Sequence, residues 1–199
     1  MLTTNYKKLF TAGIDYTYTQ SGSYYYSSPF IRPKWSENLI DVNGTARSTI
    51  YLTASSSSSY PDSTNMRNRA FAAKCKFVTF GDGGTVGRGS DNTDGHVVIV
   101  ARYDSEDNPI SETDYAPVGT SVYDYMVVTN SGDTITITFT NPATRTAELK
   151  VNRVGVYVRG MTTARDNNSW QNFMIAIFAF DTITLSPGES KSITLTRGQ

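Results

Sequence analysis

Asp133-Thr-Ile-Thr-Ile-Thr-Phe-Thr140 alternates with a clean period of two. Ile135, Ile137 and Phe139 point one way and the threonines the other, the period-two signature of a strand with one dry and one wet face. Other segments read as strands around it. Arg47–Thr53 is rich in β-formers, Cys75–Phe80 alternates in part, and Val122–Val128 follows. His96–Tyr103 and Phe173–Phe180 are nearly continuous apolar runs, as in strands covered on both faces. Val154, Val156 and Val158 repeat the alternation within Glu148–Arg159, and Ile193 and Leu195 share a face of Ser192–Thr196. Between them stand turn formers: Asn130-Ser-Gly132-Asp, Asn141-Pro142 and Ser186-Pro187-Gly188-Glu. Helical periodicity is weak, with one or two turns expected at Met66–Ala73 and at Arg165–Asn172. The expected fold is all-β: an antiparallel β-sandwich, jelly-roll or Ig-like, over residues 46–199.

Residues 1–45 differ. Eight of the 13 tyrosines fall in the first 60 residues, among Ser, Thr and Gly and without a clear core face. This stretch reads as an extended aromatic-rich N-terminal arm. Two placements are open for it, on a neighbouring subunit or as added strands of its own sandwich. Exposed aromatic rings favour cover, and Tyr16, Tyr18, Tyr24, Tyr25, Tyr26 and Trp35 are the candidate interface anchors.

Composition narrows the function. With 18 basic and 18 acidic side chains the net charge is zero, which argues against an electrostatic nucleic-acid binder. The charges are nonetheless segregated along the chain: residues 82–133 are strongly acidic and both flanks are basic. Opposite patches of this kind could set the register of a repeating contact or neutralise each other within one fold. A single Cys and a single His leave no disulfide framework, no ordinary Cys/His zinc site and little material for a nucleophilic triad. The N-terminus lacks an apolar signal core, and no run of 18 apolar residues suggests a membrane span.

A few constellations merit weighing. Two acidic loops, Asp82/Asp91/Asn92/Asp94 and Asp104/Glu106/Asp107/Asn108, offer oxygen ligands of the kind calcium takes, without EF-hand spacing. Gly81–Gly89 is glycine-rich but lacks the Lys-Ser/Thr of a phosphate-binding loop. His96 beside Asp94 reads as a strand-edge residue, and Cys75 as a small buried one. Glu106 and Glu112 are acidic candidates for glycoside hydrolysis, although nothing singles them out as a pair. Stacking on sugars would draw on Tyr24, Tyr25 and Tyr26 with Trp35, or on Trp170. No catalytic residue, metal ligand or cofactor is expected.

The C-terminal third carries a longer pattern. An alternating Thr/Ile strand leads into Asn141-Pro-Ala-Thr144. Leu149-Lys-Val-Asn-Arg-Val-Gly-Val-Tyr157 follows, then Phe173-Met-Ile-Ala-Ile-Phe178, and last Ile183-Thr-Leu-Ser-Pro-Gly-Glu-Ser-Lys-Ser-Ile-Thr-Leu195. This arrangement, with Phe80-Gly-Asp-Gly-Gly-Thr85 and Thr113-Asp-Tyr115, resembles small β-sandwich structural proteins of tailed bacteriophage virions. Pro117 stands where an apolar residue is more usual in that pattern. The resemblance implies a non-enzymatic virion component of the head decoration, connector or tail-associated type. It would be made in the host bacterial cytoplasm and assembled in many copies with itself and with other virion proteins, without nucleic acid or membrane. The alternative is a receptor- or carbohydrate-binding sandwich of a tail fibre or cell-surface adhesin.

Overall fold

The computed structural model describes residues 1–11, 13–21, 24–32, 38–47, 50–51, 86–88, 97–131, 134–161 and 170–196. They form one helix, α1 (Thr4–Thr11), and thirteen strands. The strands are β1 (Gly13–Ser21), β2 (Tyr24–Arg32), β3 (Leu39–Ile40), β4 (Ala46–Arg47), β5 (Ile50–Tyr51), β6 (Val86–Arg88), β7 (Val97–Tyr103), β8 (Thr120–Ser121), β9 (Met126–Ser131), β10 (Thr134–Thr140), β11 (Leu149–Met161), β12 (Trp170–Leu185) and β13 (Ser190–Thr196). The described chain is therefore mostly β, as the alternation requires.

The alternating Thr/Ile segment is β10. It is the middle strand of a three-stranded antiparallel sheet ordered β13-β10-β9. Ile135, Ile137 and Phe139 are fully buried, while Thr138 and Thr140 share hydroxyl hydrogen bonds with Ser192 and Ser190 on the opposite face (2.8 and 2.9 Å). An eight-stranded sheet runs β1-β2-β5-β11-β7-β6, with β12 on β11 and β8 on β7. Inward residues of both sheets meet in one apolar cluster: Ile135, Ile137, Phe139 and Leu195 against Ile99, Val154, Val156, Val158, Phe173 and Ile175. β12 carries a bulge here. Val156 pairs with Ala176 but Tyr157 pairs with Met174, so Ile175 is the extra residue, and Ile175 and Ala176 enter the same cluster.

The segment expected to be a strand at Val122–Val128 begins instead with a turn of 3-10 helix at Tyr123–Tyr125. The Val122 N–H donates to Ala101 O and the Tyr125 N–H to Val122 O, which drops both Val122 and Met126 into the core. Of the expected turn at Arg165–Asn172, residues 170–172 belong instead to β12, whose pairing with β11 continues to Trp170. Cys75–Phe80 and Met66–Ala73 lie outside the described residues.

The N-terminal region departs furthest from an extended arm. Residues 1–3 run along β12: Met1 and Ile177 exchange backbone hydrogen bonds, and the Thr3 N–H donates to Ile175 O (3.0 Å). Thr3 then starts α1, its Oγ1 accepting the Tyr6 N–H while donating to Met174 O. Asn5 clasps Ile40 from both sides, accepting its N–H and donating to its carbonyl. The β3–β4 hairpin closes on buried Asp41, whose carboxylate accepts the N–H groups of Asn43 and Thr45 and pairs with Arg47 Nε at 2.9 Å. The boundary expected between residues 45 and 46 falls inside this hairpin.

Candidate functional site: a tyrosine-rich hairpin and an ion-paired loop

β1 and β2 pair over nine consecutive positions, from Gly13↔Arg32 to Ser21↔Tyr24. Among the described residues the hairpin joins the rest of its sheet through Phe30 and Ile31, which pair with β5, and β5 meets β11 at Tyr51↔Met161. Of the two placements open for the aromatic stretch, the backbone takes the second, as added strands of its own sheet. Tyr16 and Tyr18 lie on β1 and Tyr24, Tyr25 and Tyr26 on β2, so five of the six expected anchors fall on one hairpin at the end of the sheet. The register sets Tyr16 opposite Pro29, Tyr18 opposite Ser27 and Tyr26 opposite Thr19. Trp35 lies outside the described residues.

The acidic loop at residues 104–108 is closed by hydrogen bonds and ion pairs of its own. Asp104 is buried, and its carboxylate accepts the N–H groups of Glu106 and Asn108 (both 3.0 Å) and the Asn108 side-chain amide. Asn152 on β11 braces it, exchanging hydrogen bonds with the Asp104 backbone. The cation is already present. Arg153 is fully buried, its Nε 3.2 Å from Asp104 Oδ2 in Coulomb contact without hydrogen-bond alignment. Its Nη2 donates to Asp107 Oδ1 (3.0 Å) and to Asn108 O. Burial pushes the Asp104 carboxyl up, but hydrogen bonds from Glu106 and Asn108 and the charge of Arg153 outweigh it and hold the group below its ordinary value. Asp107 adopts a positive φ of 50° to complete the loop. Among the described residues no cluster of three or more His, Cys, Asp or Glu is arranged to hold a metal ion. Asp82, Asp91, Asn92, Asp94, His96 and Cys75 lie outside those residues.

Arg153 stands directly opposite Arg102 in the β11–β7 ladder, a like-charge pair that would ordinarily repel. The two are drawn to different partners, Arg102 donating to Gly119 O at 2.6 Å. Gly119 has φ +100°, and a Cβ there would lie 2.2 Å from Tyr103 O, so no other residue fits. Next along this face lies Tyr157, packed with Val98, Met174 and Ile177 beneath Val42 and Ile110. A Cβ at Gly155 would meet the Tyr157 ring at 2.7 Å. Val154-Gly155-Val156-Tyr157 is thus one packing unit: the glycine lets the ring lie along the sheet, and the valines fill the other core. Burial pushes the Tyr157 hydroxyl well above its ordinary range, against a smaller opposing pull from Arg102.

The remaining sequence candidates among the described residues are placed as follows. Glu112 is ion-paired with Lys7, and Glu106 lends its N–H to Asp104. Gly87 of the glycine-rich stretch lies within β6, paired in parallel with Val98. Pro117 is buried. An open cleft of about 210 Å³ between α1, β3 and the 104–119 loop is lined by Asn5, Lys8, Ile40 and Tyr115 among others. That is below the usual range of about 300–1,000 Å³ for small-molecule sites. No helix among the described residues is long and apolar enough to cross a membrane.

Sequence reasoning missed α1 and the Arg153 cluster. Thr3 as a helix cap was the available signal for the first. The second had none, because Arg153 and Asp104 are 49 positions apart. Comparison with known proteins finds no matching family model, no matching curated protein and no matching solved structure.

Proposed function

We propose that the chain is a non-enzymatic structural component of a tailed-phage virion, a β-sandwich of jelly-roll or Ig-like type that assembles in many copies through subunit contacts. The observation that carries this reading is the placement of Tyr16, Tyr18, Tyr24, Tyr25 and Tyr26 on one hairpin at the end of a sheet. Tyrosine is enriched where proteins meet, and many modest contacts repeated across an assembly give durable attachment. The C-terminal pattern supports the same reading, because its motifs build a rigid platform. In Ser186-Pro187-Gly188-Glu189, Gly188 takes the φ of +90° that a type II turn demands, and its N–H donates to Asn141 O. Asn141 in turn donates to Ala147 O and Leu185 O, locking the two corners of the small sheet together.

The test is mass spectrometry of particles purified from lysates of cells carrying the gene. The chain should co-purify with particles at a fixed ratio to the major particle protein. Abundance in the lysate with absence from the particles would sink the proposal.

A further inference from the structure

β1 is a terminal strand of the eight-stranded sheet, and among the described residues no strand pairs with its outer edge. Such an edge presents a row of N–H and C=O groups to any passing chain, and soluble proteins blunt it with lysine, proline, bulges or brevity. β1 has none of these. It is nine residues long, contains neither Lys nor Pro, and pairs with β2 without a register shift. In the three-stranded sheet, the edge strand β13 carries Lys191.

The sequence of β1 also sets a tyrosine on each side of Thr17, while the outer pairs Asp15/Thr19, Ile14/Gln20 and Gly13/Ser21 differ. Gly13-Ile-Asp-Tyr-Thr17-Tyr-Thr-Gln-Ser21 reads Tyr-Thr-Tyr outward from its centre. An antiparallel two-fold pairing centred there sets Thr17 opposite the partner's Thr17 and Tyr16 opposite the partner's Tyr18. Asp15, the one charge on the strand, falls opposite the partner's Thr19, so no like charges meet. Directly opposed aromatic pairs stabilise an antiparallel ladder, and an isologous contact needs this kind of self-complementarity.

We propose that β1 pairs with β1 of a second copy of this chain, in the register centred on Thr17, joining two eight-stranded sheets into one. This deepens the assembly reading above and rests on its subunit contacts, but it names the edge, the partner and the register.

The experiment uses the full chain with its only cysteine removed (Cys75→Ser). Thr17→Cys should form an intermolecular disulfide under mild oxidation, because directly opposed residues lie about 4.5–5.5 Å apart, within disulfide range. Gln20→Cys places the two thiols about 20 Å apart, six residues at about 3.4 Å each, and should give at least about ten-fold less cross-linked dimer. Thr17→Lys, with an unchanged circular dichroism spectrum, should halve the light-scattering mass to the 21.9 kDa of one chain. Equal cross-linking at both positions, or a dimer that Thr17→Lys does not dissolve, overturns the edge pairing and leaves the assembly reading standing. A chain that stays monomeric at about 100 μM overturns the pairing as well. A Thr17-linked dimer of a protein missing from particles does the reverse, retaining the pairing and removing the virion role.

Discussion

The two faces of the β7–β11–β12 core are built on different principles. One face meets the three-stranded sheet through an apolar cluster of described residues, Ile99, Val154, Val156, Phe173 and Ile175 against Ile135, Ile137 and Phe139. The other face carries Arg102, Arg153 and Tyr157 and is covered by the 104–119 loop and the β3–β4 turn. A sheet satisfies its own backbone, so its cover can be dry. A loop brings unpaired N–H and C=O groups with it, so its cover must supply charge and hydrogen bonds. The dry face holds by area and fit, the polar face by geometry.

Mutations should separate the two. The largest effect is expected from Phe139→Ala on the dry face, a loss of about 3–5 kcal/mol for a fully buried aromatic, read by chemical denaturation. A loss under about 1 kcal/mol would mean that the small sheet is not a true partner of the large one. Gly155→Ala on the polar face should cost about 1–3 kcal/mol through overpacking against the Tyr157 ring. Combining it with Tyr157→Leu should recover much of that cost, whereas an additive double mutant would show that ring and glycine do not share the space. On the same face, pH is the lever. The Asp104 carboxyl is lowered in the folded chain, so the stability it brings is fully present above its ordinary value of 3.8 and fades as pH falls through the lower folded value. The melting temperature of the wild type should exceed that of Asp104→Asn at pH 6, and the gap should close on acidification below about pH 3.8. A gap independent of pH would refute the ionic account. Thr3→Ala should cost about 1 kcal/mol, the usual worth of a helix cap. Thr138→Ala, on the wet face of β10, should stay within about 0.5 kcal/mol.

This division also explains what could be read in advance. β10, β13 and the valines of β11 were legible because burial on one side of a sheet imposes a period of two on the residues themselves. The Pro-Gly turn before β13 was legible because only a few residue types allow its backbone. Nothing comparable marks the polar face. Arg153 looks like any surface arginine until Asp104 folds over it, and Gly155 looks like a weak spot in a strand until the Tyr157 ring lies across it. The N-terminal stretch misled for a related reason. Its short elements, α1 and the β3–β4 hairpin, are fixed by isolated contacts, such as the hydrogen bonds of Asn5 with Ile40 and the burial of Leu39, with no repeating apolar pattern to announce them. Of the candidate site, the tyrosines were legible by composition, while their gathering on one hairpin depended on a register that composition does not encode.

The pairing of residues 1–3 with β12 has a consequence in time. The Thr3 hydroxyl finds its acceptor 171 positions further along the chain. At ordinary rates of synthesis, about 5–20 residues per second, the ribosome delivers that acceptor about 10–35 s after Thr3 itself. During that interval the opening segment has no β12 to dock on, and the tyrosine-rich strands that follow it have no finished sheet to join. Completion of β12 therefore acts as a clock: residues 1–3 can settle on the sheet only once the strand they pair with has been made.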